Sequence, residues 1–412
     1  MYLSELWSWS VFYRRKQSSQ KDNDGIRIWL DLMKTTSMIP IAYPLLGTEE
    51  QEAVLRVLSS GQLAQGEHVA AFEKHFAELC QVSEAVAVSS GTAALHLALL
   101  AHGIGPGDEV ITTAFSFTAT ANVILLVGAI PVFVDIEPDT YTIDPEQVEA
   151  ALTPRTRAVL PVHLYGNPSD MKRIVQLARA KRLAIIEDAC QAHAAKIDGK
   201  PVGGYGTGCF SFYPTKNMTT GEGGMVTTDD PVIAERVRLL RSHGQQKRYY
   251  HTTIGYNLRL TEIQAAIGLV QLAKLEQFTE KRIANASFLT ERLRGAVQTP
   301  LSRPGYRHVY HQYTIRVPGN RDEWVTKLHA RGVGTGVHYP TPIYQQPFYR
   351  DSVSRFRILC AGRNANKKYE NTNMHLPVTE AAAKQVLSLP VHPALSEDDL
   401  STIAREVRNL CE

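Results

Sequence analysis

Residues 209–224 read CFSFYPTKNMTTGEGG and place one lysine, Lys216, between an aromatic run and a glycine-rich turn. Phe210 and Phe212 flank Ser211 in the alternating pattern of a short strand, so the lysine follows directly on a rigid element. A lysine amine is a useful nucleophile toward an aldehyde only when it is held rigidly and loses its proton near neutral pH. The stretch predicts either a Schiff-base lysine or a lysine on a solvated loop, and the upstream residues decide between them.

The amino-acid composition limits the classes of protein to which the chain can belong. The chain has 412 residues, of which 44% are hydrophobic and 21% charged, and this predicts a globular protein of two domains. The net charge of +3 is small and its basic residues are scattered among acidic ones, which disfavours a nucleic-acid-binding face. No apolar run reaches the roughly 18 residues that span a bilayer, so we expect no membrane association.

The five cysteines are odd in number and contain no C-x-x-C pair. This pattern disfavours both a disulfide framework and a structural metal site, and we predict no bound metal and a reducing, cytoplasmic location. The cysteines are Cys80, Cys190, Cys209, Cys360 and Cys411.

Residues 1–37 differ from the rest of the chain. They hold three of the four tryptophans, a basic cluster at 14–16 and a polar run at 17–24. A signal peptide places its charges before the apolar segment, and here the order is reversed. We therefore interpret 1–37 as a weakly ordered extension or an upstream start, with the working chain opening near Met38.

From residue 85 to residue 188 apolar strands alternate with helices, which is typical of a largely parallel sheet covered on both faces. The first strand runs into Ser89-Ser90-Gly91-Thr92, and a helix follows at once. Free N–H groups and the helix dipole make such a turn a phosphate seat, so Gly91 and Thr92 are candidates, although helix caps use the same residues. Ligands of parallel sheets gather at the carboxyl ends of strands. Asp188 ends one strand, and Phe117 lies just beyond another.

A second set of strands and helices begins near residue 301 and includes the strand 313–317. We predict a large domain at 38–290 and a smaller one at 291–412, in addition to the extension 1–37. Between residues 348 and 376 the sequence is polar and irregular, which indicates an exposed loop.

The order of these features resembles the pyridoxal-phosphate sugar aminotransferases of the DegT/DnrJ/EryC1/StrS family, within the fold type I aspartate aminotransferase superfamily. The stretches EDACQAH, at 187–193, and SFYPTKNMTTGEGG, at 211–224, carry the resemblance, which extends from about Ile39 to the C-terminus. It implies an α/β fold, with a mostly parallel central sheet flanked by helices and a smaller C-terminal α+β domain. Cys190 departs from the family, which usually has alanine there, and we expect little consequence.

The resemblance implies the following roles around the cofactor, pyridoxal 5′-phosphate. Lys216 forms the Schiff base and later moves a proton between the cofactor and the sugar carbon. Asp188 keeps the pyridine nitrogen protonated, so that the ring withdraws electrons. Gln191 hydrogen-bonds the phenolic oxygen, and Phe117 stacks on the ring. Gln191 as a capping amide and Phe117 as core packing are the plainer alternatives.

The phosphate of the cofactor is implied to bind Ser211, Gly91 and Thr92. Asn257, in GYNLRLTEIQ, matches a position that reaches the phosphate across a dimer interface in the family; on its own it is equally a turn residue. The segment GTGVHYPTP, at 334–342, is implied to line the sugar side of the cleft.

The function implied is that of a homodimeric transaminase that moves an amino group from glutamate to a keto group of a nucleotide-linked deoxysugar, as in the synthesis of cell-surface polysaccharides. The nucleotide, the sugar and the aminated carbon, C3 or C4, stay open because they depend on the small domain and the partner subunit. Two alternatives are a pyridoxamine-phosphate sugar dehydratase and a cofactor-binding regulator without turnover. Dehydratases of this kind carry histidine in place of the Schiff-base lysine, which is present here.

Overall fold

The computed structural model describes residues 38–351, 359–361, 368–370 and 375–411. The predicted extension, residues 1–37, lies outside these described residues. The helices are α1 Thr48–Ser60, α2 Glu67–Cys80, α3 Gly91–Ala101, α4 Ala119–Leu126, α5 Pro145–Ala150, α6 Met171–Lys181, α7 Pro231–Arg241, α8 Glu262–Leu293, α9 Arg321–Ala330, α10 Pro347–Asp351, α11 Pro377–Gln385 and α12 Glu397–Arg408.

The strands are short. They are β1 Glu84–Val88, β2 Glu109–Thr113, β3 Ile130–Val134, β4 Thr156–Leu160, β5 Ala184–Asp188, β6 Lys196–Ile197, β7 Lys200–Pro201, β8 Thr207–Ser211, β9 Gly224–Thr228, β10 Gln245–Lys247, β11 Tyr250–His251, β12 Tyr306–Arg307, β13 Tyr313–Arg316, β14 Leu359–Ala361, β15 Lys368–Glu370 and β16 Val386–Leu389.

A nine-stranded sheet organises the molecule in the order β1-β9-β8-β5-β4-β2-β3-β14-β15. The strands from β8 to β14 pair in parallel, whereas β9 runs antiparallel to both of its neighbours. Helices cover both faces, because successive residues of a strand point to opposite sides. In β8, for example, Cys209 packs in the core that contains α3 and α7, while Phe210 packs against Phe72 and Phe76 of α2. The predicted mostly parallel α/β fold is confirmed.

A separate two-stranded sheet, β13 with β16, lies in the C-terminal part of the chain. Its hydrophobic core includes Ile315 and Leu387 from these strands, Leu289 from the end of the long helix α8 and Val407 from α12. This core supports a smaller C-terminal domain, although the boundary at residues 290 and 291 stays a prediction.

The prediction of an irregular loop between residues 348 and 376 is wrong for the part of it that the structure describes. The segment 347–351 forms α10, and Leu359–Ala361 forms β14, which pairs in parallel with β3 and antiparallel with β15. The edge of β3 offers unpaired backbone groups, and a three-residue extended segment satisfies them without any hydrophobic pattern of its own.

Candidate active site

Asp188 lies at the carboxyl end of β5 and is 6% exposed. One carboxylate oxygen, Oδ2, accepts a hydrogen bond from the Thr120 hydroxyl at 2.8 Å. Among the described residues, the other oxygen, Oδ1, accepts a hydrogen bond only from the Cys190 N–H, at 3.3 Å. Helix α4 brings Thr120 to this position, two residues into its first turn. A buried carboxylate with one long hydrogen bond keeps accepting capacity for a ligand N–H group.

Lys216 follows β8 and faces the same site. Its residue as a whole keeps some accessible surface, yet the amine is surrounded by enough protein that loss of hydration lowers its pKa. The neighbouring Cys190 thiol and Asp188 carboxylate oppose part of this shift in pKa. A lowered pKa favours the unprotonated amine, which is the form that attacks a carbonyl carbon. The structure therefore brings the predicted Schiff-base lysine and the predicted ring-nitrogen partner together.

Three histidines lie close enough to Lys216 for its charge to lower their pKa values. Burial, together with a smaller contribution from the charge of Lys216, lowers the pKa of His193 to about 3 and that of His338 to about 4. Burial and Lys216 likewise hold the pKa of His311 well below its usual range. All three imidazoles are therefore neutral at physiological pH.

Helix α3 begins within contact distance of β8. A Cβ atom on Gly91 would lie 2.6 Å from Ser211 Cβ and 2.8 Å from Cys190 Sγ, so only glycine fits this approach. Ser90 caps the helix by accepting a hydrogen bond from the Ala93 N–H at 3.1 Å. The N–H groups of Gly91 and Thr92 make no hydrogen bond to the described residues.

The Thr92 side chain is exposed, and Ser211, at the end of β8, lies beside the neighbouring Gly91. Together with the helix dipole of the 11-residue α3, these groups make the start of the helix a candidate seat for a phosphate.

Gln191 is buried and bridges two elements. Its Oε1 accepts a hydrogen bond from the Tyr165 N–H at 2.8 Å, and its Nε2 donates to the Tyr339 hydroxyl at 3.3 Å. The Tyr339 ring in turn lies 6.1 Å from the Phe117 ring. Phe117 is 56% exposed, so core packing does not explain this aromatic residue. Tyr339 thus connects Gln191 with Phe117.

A cavity of about 610 Å³ opens beside Phe117 and Tyr339. Helix α4 contributes Asn122, and the segment after Tyr339 contributes Pro340 and Phe348. None of the described residues that line it carries a charge. The predicted sugar-side segment, 334–342, therefore does border a cavity next to the cluster.

Asn257 is the predicted site residue that the chain does not bring into this cluster. Its side chain is exposed and makes no hydrogen bond to the described residues, and its backbone pairs with Ser242. The next residue, Leu258, accepts a hydrogen bond from the Ser89 N–H at 2.9 Å, close to the start of α3. The backbone thus holds Asn257 close to the start of α3, while its side-chain amide is exposed to solvent.

Sequence reasoning missed Thr120, Tyr165 and Tyr339. Thr120 and Tyr165 are polar groups in segments whose spacing along the chain gives no sign that they meet β5. Tyr339 lies in a segment that was noticed for its resemblance, but its contact with Gln191 depends on how the C-terminal part packs.

The residues present fit pyridoxal phosphate. The start of α3 carries N–H groups that bind no described residue, Asp188 retains accepting capacity, and Lys216 offers an amine with a lowered pKa. Among the described residues no group of three or more His, Cys, Asp or Glu forms a metal site. Within the same part of the chain, no helix is long and apolar enough to cross a membrane.

Residues 44–408 match the DegT/DnrJ/EryC1/StrS aminotransferase family. A protein of Geobacillus stearothermophilus described as a pleiotropic regulatory protein is 43% identical over 371 residues, which cover 89% of this chain and 95% of that protein. The UDP-N-acetyl-3-dehydro-alpha-D-glucosamine 3-aminotransferase of Acidithiobacillus ferrooxidans is 41% identical over 356 residues, 86% of this chain and 91% of the relative. The crystal structure of Streptomyces venezuelae DesV in complex with a ketimine intermediate matches with a TM-score of 0.83 and 40% identity, covering 91% of this chain and 99% of DesV.

Proposed function

Because the chain belongs to the DegT/DnrJ/EryC1/StrS aminotransferase family, we propose that it transfers an amino group from glutamate to the keto group of a nucleotide-linked deoxysugar. The cofactor is pyridoxal 5′-phosphate. The observation that carries the proposal is the meeting of Lys216, whose pKa is lowered by loss of hydration, with the incompletely hydrogen-bonded carboxylate of Asp188.

The residues of the site divide the work of holding the cofactor. Gly91, Thr92 and Ser211 would bind its phosphate, Asp188 would hold its ring nitrogen in the protonated state, and Gln191 would meet its phenolic oxygen. When bound, the cofactor supplies a conjugated ring that withdraws the electron pair left when a C–H bond is broken.

Three neighbouring side chains keep the site in order. The Thr120 hydroxyl fixes the orientation of the Asp188 carboxylate, and the exposed Phe117 would lie against the cofactor ring. The Nζ atom of Lys216 would hold the cofactor and would then carry the proton, a role that its lowered pKa favours.

The uncharged cavity supports a sugar as the acceptor of the amino group. Aromatic rings such as Phe117 and Tyr339 pack against the C–H groups of a sugar, and the amide of Asn122 with nearby hydroxyls suits its oxygens. A diphosphate would gain nothing from this lining, so we place the nucleotide outside the cavity. The relative from Acidithiobacillus ferrooxidans is named for a UDP-linked keto sugar, which is the same class of substrate.

We further propose that the protein works as a homodimer in which Asn257 serves the phosphate of the partner subunit. The segment just before Asn257 exposes large side chains, with Tyr249 at 80%, Tyr250 at 60% and Ile254 at 86% exposed. Apolar groups this exposed favour burial against another surface, and a two-fold interface uses the same patch twice. Sedimentation at micromolar concentration should give a mass near twice 45.7 kDa. A monomer that is fully active would exclude the shared site.

A regulator without turnover is the second candidate, and the relative named as a pleiotropic regulatory protein favours it. Mixing the protein with glutamate separates the two. An aminotransferase converts its bound cofactor to the pyridoxamine form, whereas a protein that only binds the cofactor leaves the spectrum unchanged. A screen of UDP- and dTDP-linked keto sugars, with detection of the amino product, then tests the acceptor. If glutamate converts the cofactor but no sugar is aminated, the protein is an aminotransferase whose acceptor is not one of these sugars.

A cytoplasmic location also stays part of this proposal. Among the described residues the cysteines are free thiols, namely Cys80, Cys190, Cys209 and Cys411. A reducing compartment suits such a set.

A further inference from the structure

The side-chain amide of Asn122 borders the cavity beside Phe117 and is held by two hydroxyl groups. Its Oδ1 accepts a hydrogen bond from the Tyr349 hydroxyl of α10 at 2.6 Å and a longer one from the Thr118 hydroxyl at 3.2 Å. Burial raises the pKa of Tyr349 to about 12, so the phenol keeps the proton that it donates. An amide oxygen has two lone pairs, and the protein itself uses both of them here.

The distances also determine which end of the Asn122 amide faces the two hydroxyls. A separation of 2.6 Å suits an O–H···O hydrogen bond and is shorter than the usual N–H···O distance of about 2.7 to 3.2 Å. The other end, Nδ2, makes no hydrogen bond to the described residues. Nor does it belong to the polar atoms that are buried without a partner in the part of the chain that the structure describes. The amide therefore offers the cavity two N–H donors and no acceptor.

Apolar side chains lie next to this donor. Leu125 and Leu126 follow Asn122 by three and four positions on α4, which places them on the same side of the helix, and both line the same cavity. Leu126 is 65% exposed, so its apolar surface is available to a ligand in the cavity. A matching ligand group has an acceptor oxygen for Nδ2 and an apolar part for the leucines.

We propose that Asn122 is a specificity-determining residue that donates a hydrogen bond from Nδ2 to the carbonyl oxygen of an acylamino group on the sugar, and that Tyr349 is the positioning residue that fixes the amide. This inference rests on the proposed function and names the substrate class within it. A carbonyl oxygen only accepts, and the methyl group of an acetyl unit packs against Leu125 and Leu126. A hydroxyl in the same place would bring a proton that neither the amide nor the leucines accept.

The acylamino group belongs on the carbon next to the keto carbon. Phe117, which would lie against the cofactor ring, borders the same cavity as Asn122. The keto carbon reacts at the cofactor, so the substituent of the neighbouring carbon is the one nearest to this part of the cavity.

Asn122→Asp reverses the hydrogen-bonding character of the end that faces the cavity and preserves the other end. The aspartate keeps an oxygen for the hydroxyls of Tyr349 and Thr118 at nearly the same volume, but it presents an acceptor in place of the two donors. A carbonyl oxygen is then repelled, whereas a protonated amino group gains a charge-assisted hydrogen bond. Tyr349→Phe leaves the amide in place and removes the short hydrogen bond that fixes it.

The experiment compares ligands that differ in one substituent. UDP- and dTDP-linked sugars with a hydroxyl in place of the keto oxygen carry an acetamido group, a hydroxyl or a free amino group on the neighbouring carbon. Calorimetric titration of the holoenzyme measures their Kd values. We expect the wild type to bind the acetamido sugar about tenfold more tightly than the hydroxyl sugar, the scale of one neutral hydrogen bond.

The variants should change these preferences in different ways. In Asn122→Asp the ratio of the two Kd values should shift by about 10²-fold from the acetamido toward the amino sugar, and the ratio cancels any effect of the new carboxylate on the diphosphate. Tyr349→Phe should lower the preference for acetamido over hydroxyl by about threefold. Tyr43→Phe is the matched control, because Tyr43 is exposed and does not line the cavity, and it should change neither ratio.

Several outcomes would overturn the inference. These are equal affinity of the wild type for the acetamido and hydroxyl sugars, an unchanged ratio in Asn122→Asp, or no binding of any of these sugars. If Asn122→Asp does not fold, as judged by circular dichroism, the wild type and Tyr349→Phe still decide through the acetamido preference. If the wild type aminates keto sugars without preferring an acetamido group, the proposed function stands and this inference fails. If it binds the acetamido sugar with the expected ratios but aminates no keto sugar, the proposed function fails and the role of Asn122 stands.

Discussion

Glu187 and Asp188 are neighbouring carboxylates at the end of β5 that differ in how completely they are hydrogen-bonded. Glu187 is fully buried and accepts hydrogen bonds from three backbone N–H groups at 2.8 to 2.9 Å, those of Gly203, Tyr205 and Gly206. His163 adds a fourth contact, with Nε2 at 3.1 Å. Every accepting position of Glu187 is thus taken by the protein itself.

Asp188 points to the other face of the sheet and is left with room for a ligand. It has one hydroxyl donor at 2.8 Å and one distant N–H at 3.3 Å. Burial alone therefore does not identify a functional carboxylate, because Glu187 is the more buried of the two. The unfilled hydrogen-bonding capacity is what distinguishes Asp188 as the candidate functional carboxylate. Substitutions of Asp188 and of Glu187 can test this difference.

Lys216→Ala should have the largest effect, because it removes the amine that we propose to form the covalent bond with the cofactor. We expect loss of the absorbance band of lysine-bound cofactor and a fall in transamination on the order of 10⁴-fold or more. Borohydride reduction followed by peptide mapping should label Lys216 in the wild type.

The exposed Lys327 provides the control for this substitution, since Lys327→Ala leaves the site untouched. Far-UV circular dichroism and melting temperature should match among the three proteins. A Lys216→Ala protein that keeps both the absorbance band and turnover would contradict the proposal that Lys216 forms the Schiff base.

Asp188→Asn should cost about 10²-fold in rate, the scale of removing one electrostatic stabiliser. An amide can still accept the Thr120 hydroxyl, so stability should change little, but the ring nitrogen loses its counter-charge. Rates at saturating cofactor, with the free energy of unfolding of the apoprotein measured in urea, test this separation. Near-wild-type turnover at saturation would remove Asp188 from its role.

Glu187→Gln should show the opposite pattern, with a loss in stability and little loss in rate per folded molecule. Glutamine keeps one acceptor oxygen but turns an NH₂ group toward backbone donors, so we expect a loss of about 2 kcal/mol in the free energy of unfolding. Urea denaturation and turnover normalised to bound cofactor measure the two quantities. If Glu187→Gln lowers the rate as much as Asp188→Asn does, the two carboxylates do not differ in the way proposed.

The sequence singled out candidate catalytic residues more readily than the residues that position them. Lys216 and Asp188 lie in stretches specific enough to predict the family, the fold and the cofactor, and these predictions are confirmed. The structure also gathers Gly91, Ser211 and Gln191 beside them, while their roles toward the cofactor stay predictions.

What the sequence did not predict depends on contacts between distant segments. Thr120 meets Asp188 across 68 positions, and no local pattern marks such a pair. The strand Leu359–Ala361 is too short for a periodicity and exists because β3 offers an open edge. Asn257 needs a second subunit for its predicted role, and a single chain contains no information on that contact beyond its exposure.

The smallest expected effect is a pH dependence of the free energy of unfolding that arises on one face of the central sheet. On the face of the sheet that carries Phe210, opposite to that of Asp188, His193 is fully buried among Phe76, Phe210 and Phe212, and burial together with Lys216 lowers its pKa to about 3. In the unfolded chain its pKa is about 6.5. Between these values the unfolded chain binds more protons, so stability is lost as the pH falls below about 6.5, by at most about 1.4 kcal/mol per pH unit.

His193→Phe suits the aromatic surroundings and removes this titration. The difference in unfolding free energy between pH 7 and pH 5, measured in urea on the apoprotein, should therefore be smaller in His193→Phe than in the wild type by about 1 to 2 kcal/mol. His75→Gln provides the control, because His75 is exposed and its replacement should leave the difference unchanged. If His193→Phe keeps the full wild-type difference in unfolding free energy between pH 7 and pH 5, the buried imidazole is not neutral. The aromatic face of the sheet would then not cause the loss of stability in acid.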